Sequence, residues 1–336
     1  MRYKGIVVGC GNIGALWESD QGRPQPRTHA SALTANPRTT LAALVDVNQE
    51  HLKQASALFP NVPTYTDLTT CLTEIQPHIA IIATNSATHA SIIEHCAESS
   101  VSMIIGEKPI AHSVEDAERI RDIIAKNNTT FVLNYQRRLF PLFNEVREKI
   151  LHGAFGKIQQ ITCYYSNGAR NNAGHIIDAL MFLLNEKIVA VHGRINERNT
   201  THPEHDLNID GLLITESNIT IMVQSFDQKY FGINEIYITG EKNVVLLREY
   251  GYALNIIPLK FAPTVGMPRF SYADSENTYD VRSMTNDALA EAVSAYEEKR
   301  VPMTSIKNGM ETLAVLEALS TSALEDGVRK AVEYTA

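Results

Sequence analysis

The stretch that most constrains this chain is Gly9-Cys10-Gly11-Asn12-Ile13-Gly14. It is a GxGxxG loop placed directly after Arg2–Val8, a run of strand type, and a helix is expected to open near Asn12. In that setting each glycine has a separate reason to be there. The first permits the tight turn, the second lets the backbone approach a pyrophosphate, and the third lets helix pack on strand. The helix would then offer N–H groups and the positive end of its dipole to phosphate. A glycine-rich turn without a ligand is the plainer alternative, and the preceding strand argues against it.

The expected partner of the loop is Asp46, which ends the apolar run Leu41-Ala42-Ala43-Leu44-Val45. A carboxylate there accepts hydrogen bonds from an adenosine ribose, which favours NAD over NADP. The usual separation is about 20 residues, and here it is longer by the twelve residues Trp17–Thr28. These carry loop chemistry and read as an insertion that interrupts the first helix. The helix is expected to resume with Thr28 as N-cap and to run through His29–Asn36. Pro24 and Pro26 restrict the insertion, so an ordered lid at the cleft is expected, with Arg23 and Arg27 available to an anionic substrate.

A chain of 336 residues has room for two domains with their own cores. Its net charge of −8 argues against a broad nucleic-acid or anionic-membrane surface. Cys10, Cys71, Cys96 and Cys163 show no CxxC spacing, so free thiols in a reducing compartment are expected, with neither a zinc site nor a disulfide framework. The sequence enters a strand at once with no signal-type segment, and no apolar run is long enough to span a bilayer. A cytoplasmic protein is the expectation.

Strand and helix patterns alternate as far as Thr130–Leu133, which specifies an α/β, doubly wound Rossmann sheet of parallel strands. After Asn134 the rhythm changes. Lys157–Tyr165, Ile188–Arg198, Asp206–Thr215, Ile219–Phe226, Asn234–Thr239, Val244–Arg248 and Tyr252–Pro258 are strand candidates, several joined by short turns. They suggest an α+β domain with a large open, mainly antiparallel sheet and helices on one face. Leu259–Ser283 reads as irregular, and the helices Asn286–Lys299 and Ser305–Asp326 close the chain. The expected division is 1–134 for dinucleotide binding and 135–336 for substrate binding and oligomerisation, with the closing helices able to pack back on the first domain. Ile219, Ile221 and Val223 alternate with Thr220, Met222 and Gln224, which leaves apolar groups on both sheet faces. A second subunit is the simplest cover, giving a homodimer or homotetramer.

Three short stretches carry candidate chemistry. Gly106-Glu107-Lys108-Pro109 follows the fifth strand, at the edge where open parallel sheets bind ligands. Tyr135-Gln136-Arg137-Arg138 follows the sixth strand, although two adjacent arginines usually mark a solvated face. His175 and Asp178 form His-x-x-Asp on the first turn of an apolar helix, where a lone histidine is more often structural. Arg27, Arg137, Arg138 and Arg170 are candidates for a phosphate or nucleotide diphosphate, or for plain solvation.

Taken together the ordered stretches resemble the glucose–fructose oxidoreductase/inositol dehydrogenase family (Gfo/Idh/MocA) of NAD(P)-dependent dehydrogenases. The resemblance lies in Val8–Gly14, Thr28-His29-Ala30, Ala83-Thr84-Asn85-Ser86-Ala87-Thr88-His89, Glu107-Lys108-Pro109, Asn134–Arg138 and Gly174–Asp178. It implies that Lys108 and His175 stand at the reacting carbon. It implies a cofactor set of Gly9, Gly11, Asn12, Ile13, Gly14, Asp46, Thr84, Asn85 and His89, with Glu107, Lys108 and Gln136 near the nicotinamide. The substrate set is Lys108, Tyr135, Arg137, Tyr165, Asn171, Asn172, His175 and Asp178. A cis Lys108–Pro109 bond is also expected. The implied activity is hydride transfer between nicotinamide and a secondary alcohol or ketone of a sugar, a phosphorylated or nucleotide-linked sugar derivative, or a cyclitol, with no metal. A non-catalytic dinucleotide- or sugar-sensing protein is the alternative. Retention of Lys108 and His175 favours the enzyme. Asn171, where many members carry aspartate, leans the other way, because an amide orients an imidazole without neutralising an imidazolium.

Overall fold

The computed structural model describes residues 2–203, 206–264 and 266–335. The chain forms two units, Met1–Leu139 with Arg282–Met310, and Phe140–Val281 with Glu311–Ala336.

The first unit is built on six short strands: β1 Tyr3–Val8, β2 Thr39–Val45, β3 Thr64–Tyr65, β4 Ile79–Ile82, β5 Met103–Gly106 and β6 Thr130–Leu133. Their order is β3-β2-β1-β4-β5-β6 and every pair is parallel. The doubly wound expectation is borne out. All four residues of β4 are 0% exposed, because a parallel strand covered on both faces can use only apolar side chains. Between the strands run α1 His29–Ala35, α2 Gln49–Leu58, α3 Leu68–Ile75, α4 His89–Glu98 and α5 Val114–Asn127. Thr28, Asn48, Asp67 and Ser113 cap four of them through side-chain oxygens. A further helix, Met284–Glu298, sends Ala288, Leu289, Ala292 and Val293 into the same core as Val7, Leu33 and Ile81.

The start of the first helix departs from expectation. No α-helix forms at Asn12. The loop turns through residues 12–15 into a 3-10 turn at Leu16–Ser19, and the regular helix begins only at His29. The resumption at Thr28 is as expected, and Thr28 and Ser31 cap each other reciprocally.

The second unit opens with α6 Pro141–Leu151, β7 Ile158–Ser166 and α7 Gly174–Leu184. Strands β8 Ile188–Ile195, β9 Ile209–Thr215, β10 Thr220–Phe226, β11 Asn234–Gly240, β12 Asn243–Arg248 and β13 Ala253–Ala262 follow. The edge is extended by β14 Met267–Phe270 and β15 Glu276–Tyr279, which both pair with β13. After α8 (Met284–Glu298) and α9 (Ile306–Leu324), β16 Lys330–Ala331 pairs with β8. The sheet order is β14-β13-β12-β11-β7-β10-β9-β8-β16, antiparallel except where β7 meets β10. Leu259–Ser283 is therefore not irregular throughout. Its two strands are exposed at every position and lack the apolar alternation that marks a strand in a sequence.

One face of this sheet is core: Ile161, Cys163, Ile221, Val223, Ile236 and Ile238 are buried. On the other face Met222 is 38% exposed, and Tyr164 meets Phe226 and Tyr237 edge-on with centroids 5.5 and 5.3 Å apart. Among the described residues no helix is long and apolar enough to cross a membrane.

Candidate active site

Strand order reverses between β1 and β4, and the crevice beyond the carboxyl ends of the strands at such a point is where open α/β sheets hold ligands. The glycine loop leaves β1 there. Gly9 has φ +95°, and a Cβ on it would come within 2.6 Å of the Ala83 backbone, so no other residue fits. A Cβ on Gly14 would lie 2.0 Å from the Gly9 carbonyl oxygen. Gly11 differs: a Cβ there would meet nothing of the chain within 4 Å. It leaves backbone open to an approaching group. Gly9 and Gly11 line a cleft of about 670 Å3 that also takes in Asp46, Asn48, His51, Thr84, Asn85 and Thr88.

Asp46 is tied to the loop itself. Its Oδ2 accepts from the Cys10 N–H at 2.8 Å and its Oδ1 from the Asn48 N–H at 2.8 Å. His51 Nδ1 lies 3.1 Å from the same Oδ2. His51 was not singled out in the sequence; its place in the first turn of the helix after the acid was the available signal. Burial, with the Asp46 charge adding to it, pushes the Cys10 thiol up to about 12, so it is a packing group there and no nucleophile.

The end of β5 carries the Glu-Lys-Pro turn, and the Lys108–Pro109 bond is cis as expected. Glu107 Oε1 accepts from His29 Nε2 at 2.8 Å and from Asn134 Nδ2 at 2.7 Å. Burial pushes its carboxyl up, but the hydrogen bonds from His29 and Asn134 and the Lys108 charge together hold it below the ordinary carboxylate range. His29 and Asn134 are partners that sequence reasoning left without a role.

Other expected cofactor residues are placed differently. His89 is 1% exposed and does not line the cleft; its Nδ1 lies 2.9 Å from the Pro109 carbonyl and its Nε2 3.2 Å from that of Thr84. Burial lowers its pKa despite those two carbonyls. It braces the ends of β4 and β5. Gln136 is buried with its amide 3.1 Å from the Met284 sulfur. Tyr135, Arg137 and Arg138 are also buried, so the two arginines are no solvated face.

The insertion is held by its own residues and by two from outside it. Arg27 reaches the Glu18 carboxylate at 3.7 Å and the carbonyls of Arg23 and Glu18 at 3.2 Å each. Arg23 lies 3.6 Å over the Trp17 ring and pairs with Asp20. Ser283 and Thr285 donate to the Pro26 carbonyl. The arginines expected to meet a substrate are thus committed within the loop.

In the second unit β7 runs into a turn at Gly168, the π-helical turn Ala169–Ala173, and then α7. His175 and Asp178 stand three apart on the first turn of α7, both buried. The side-chain amides of Asn171 and Asn172 donate back to the Asn167 and Ser166 carbonyls at 3.1 and 2.7 Å. Asp206, also not anticipated, accepts from the N–H groups of Arg170 and Asn171 at 3.0 and 2.9 Å. Tyr165 is corrected: it is 0% exposed, and its hydroxyl donates to the Ile209 carbonyl and accepts from the Ile209 N–H at 2.8 and 2.7 Å. Burial raises its pKa, and with its only O–H spent on the Ile209 carbonyl and its surface fully covered it is a structural group.

Residues 4–135 match the Gfo/Idh/MocA profile, described as an oxidoreductase family with an NAD-binding Rossmann fold. Over those residues the chain carries the NAD-binding domain of the Gfo/Idh/MocA family. D-apiose dehydrogenase of Paraburkholderia graminis is 22% identical over 349 aligned positions, covering 96% of this chain and 88% of that protein. Inositol 2-dehydrogenase 2 of Paenarthrobacter aurescens is 21% identical over 351 positions, with 98% of each chain covered. The structure of levoglucosan dehydrogenase in complex with NADH superposes with a TM-score of 0.81 at 15% identity over 100% of both chains, which shows a shared fold. Like these relatives, the protein is an oxidoreductase.

Proposed function

We propose that the protein is an NAD(H)-dependent dehydrogenase that oxidises a secondary alcohol of a sugar, sugar derivative or cyclitol, or reduces the corresponding ketone. The observation that carries this is the cleft where Gly11 leaves backbone open and Asp46 presents a carboxylate. A loop of that shape fits a pyrophosphate, and the acid fits ribose hydroxyls while repelling a 2′-phosphate, so NAD(H) is the cofactor preferred over NADP(H). The nicotinamide, when bound, supplies hydride acceptance and donation. Thr84 and Asn85, on the same cleft, are assigned to its contact.

The chain's own part is to bind, orient and handle the proton. Lys108 hydrogen-bonds the substrate oxygen and stabilises the negative charge that gathers there. His175 takes or returns the hydroxyl proton, with Asn171, Asn172 and Asp178 shaping its surroundings. Arg137 and Tyr135 are assigned to the substrate pocket. The dehydrogenases it is similar to, named for D-apiose, inositol and levoglucosan, fit the substrate class. A cytoplasmic homodimer or homotetramer, joined through the aromatic face of the large sheet, completes the reading.

The test is NADH formation from NAD+ over a panel of D-apiose, myo-inositol, levoglucosan, aldoses and nucleotide sugars. Turnover of one compound supports the reading. NADH binding with no turnover of any of them, in either direction, would favour the sensor.

A further inference from the structure

The cluster behind the Glu-Lys-Pro turn carries a charge that its architecture does not require. Three elements meet there: His29 at the start of α1, Glu107 just past β5 and Asn134 just past β6. Glu107 Oε1 receives both donors, at 2.8 and 2.7 Å. The His29 side chain is 0% and the Glu107 side chain 13% exposed, and Asn134 is 4% exposed. A neutral glutamine would accept the same two hydrogen bonds without the desolvation cost of a buried anion. Yet the hydrogen bonds and the neighbouring Lys108 keep the carboxylate ionised against its burial.

The strand order supplies a reason. From Asp46 after β2, the cleft passes the glycine loop after β1 and reaches Thr84 and Asn85 after β4. The next strand end is that of β5, with Glu107 and Lys108. A dinucleotide with its adenosine at Asp46 extends its other half in that direction. The nicotinamide is the part of the molecule whose charge changes, being positive when oxidised and neutral when reduced.

We propose that Glu107, fixed as a buried anion by His29 and Asn134, selects the oxidised cofactor over the reduced one, with Lys108 as the opposing charge. This rests on the dinucleotide reading given above. A fixed negative charge attracts the positive ring and is indifferent to the neutral one, so it biases the protein toward holding NAD+ and releasing NADH. His29 and Asn134 are positioning residues for that charge.

The experiment measures Kd for NAD+ and for NADH, without any substrate, in the wild type, Glu107→Gln and Lys108→Met. A role in packing alone shifts both constants together, whereas a charge shifts their ratio. Through a partly hydrated cleft one unit charge is worth about tenfold. Glu107→Gln is expected to raise Kd(NAD+)/Kd(NADH) by about that factor, and Lys108→Met to lower it. An unmoved ratio in folded Glu107→Gln overturns the inference while leaving the dinucleotide reading intact. If Glu107→Gln does not fold, Lys108→Met decides, and an unmoved ratio there overturns the inference equally. Failure of the wild type to bind either form overturns both.

Discussion

The backbone N–H of His29 donates to the carbonyl of Ile13 at 3.0 Å, across the whole insertion. Ala30 makes the same bond to Gly14 at 3.0 Å. Without the twelve residues Trp17–Thr28, His29 would stand four places after Ile13, which is the α-helical bonding interval. The first helix is thus one helix opened at a single point, and the chain leaves and re-enters in register.

Excising residues 17–28 is therefore expected to give a folded protein with a continuous first helix that needs no cap at Thr28. The NADH Kd should stay within about threefold, because the glycine loop, Asp46 and His29 keep their places. Circular dichroism and fluorescence titration check this, and loss of NADH binding would show the insertion to be part of the cofactor site.

Asp46→Ala should narrow the preference for NAD(H) over NADP(H) by about tenfold or more. It removes both the ribose acceptor and the charge that opposes a 2′-phosphate. Paired titrations at matched ionic strength read the ratio directly. Equal affinities in the unmodified protein would contradict the assignment of Asp46.

Lys108→Met and His175→Ala should each lower kcat by about 10²–10⁴ on the substrate found by the panel, with NADH still bound. Asn171→Asp should raise the pKa in the pH–rate profile, because a carboxylate stabilises an imidazolium that an amide cannot. A profile unmoved by Asn171→Asp, together with near-normal kcat in His175→Ala, would leave Lys108 as the proton-handling group.

Tyr165→Phe should cost stability and spare chemistry. It strips partners from a buried N–H and a buried carbonyl of Ile209, worth about 1–3 kcal/mol. Denaturant midpoints should fall while kcat/KM holds. A selective loss of kcat/KM would return Tyr165 to the substrate pocket.

The thiols should be silent in the native state. Cys10, Cys71 and Cys96 are each pushed up to about 12, chiefly by burial, and Cys163 is pushed up further in the same direction. Thiolate is then scarce at pH 8. Titration with a thiol reagent should find none of the four before unfolding and four after it.

What the sequence determined by itself was whatever rests on local pattern. The inner strands announced themselves because parallel strands buried on both faces read as unbroken apolar runs, as Ile79–Ile82 does, whereas the two-residue edge strand Thr64–Tyr65 carries no such run. The glycine loop, Asp46, the Thr28 cap and the cis Lys108–Pro109 bond were legible because each is fixed by a few adjacent residues or by an ordered family pattern. Tertiary structure alone decided the rest. The strands β14 and β15 exist only by pairing with β13, since their exposed positions carry no periodicity. Arg137 and Arg138 are buried although their composition suggests solvent. His29 and Asn134 converge on one oxygen of Glu107 from distant points of the chain. Hydrophobic period constrains a side chain to a face, whereas the partner of a polar atom is set by which backbone segments the fold brings within 3 Å, and that is a property of the whole chain.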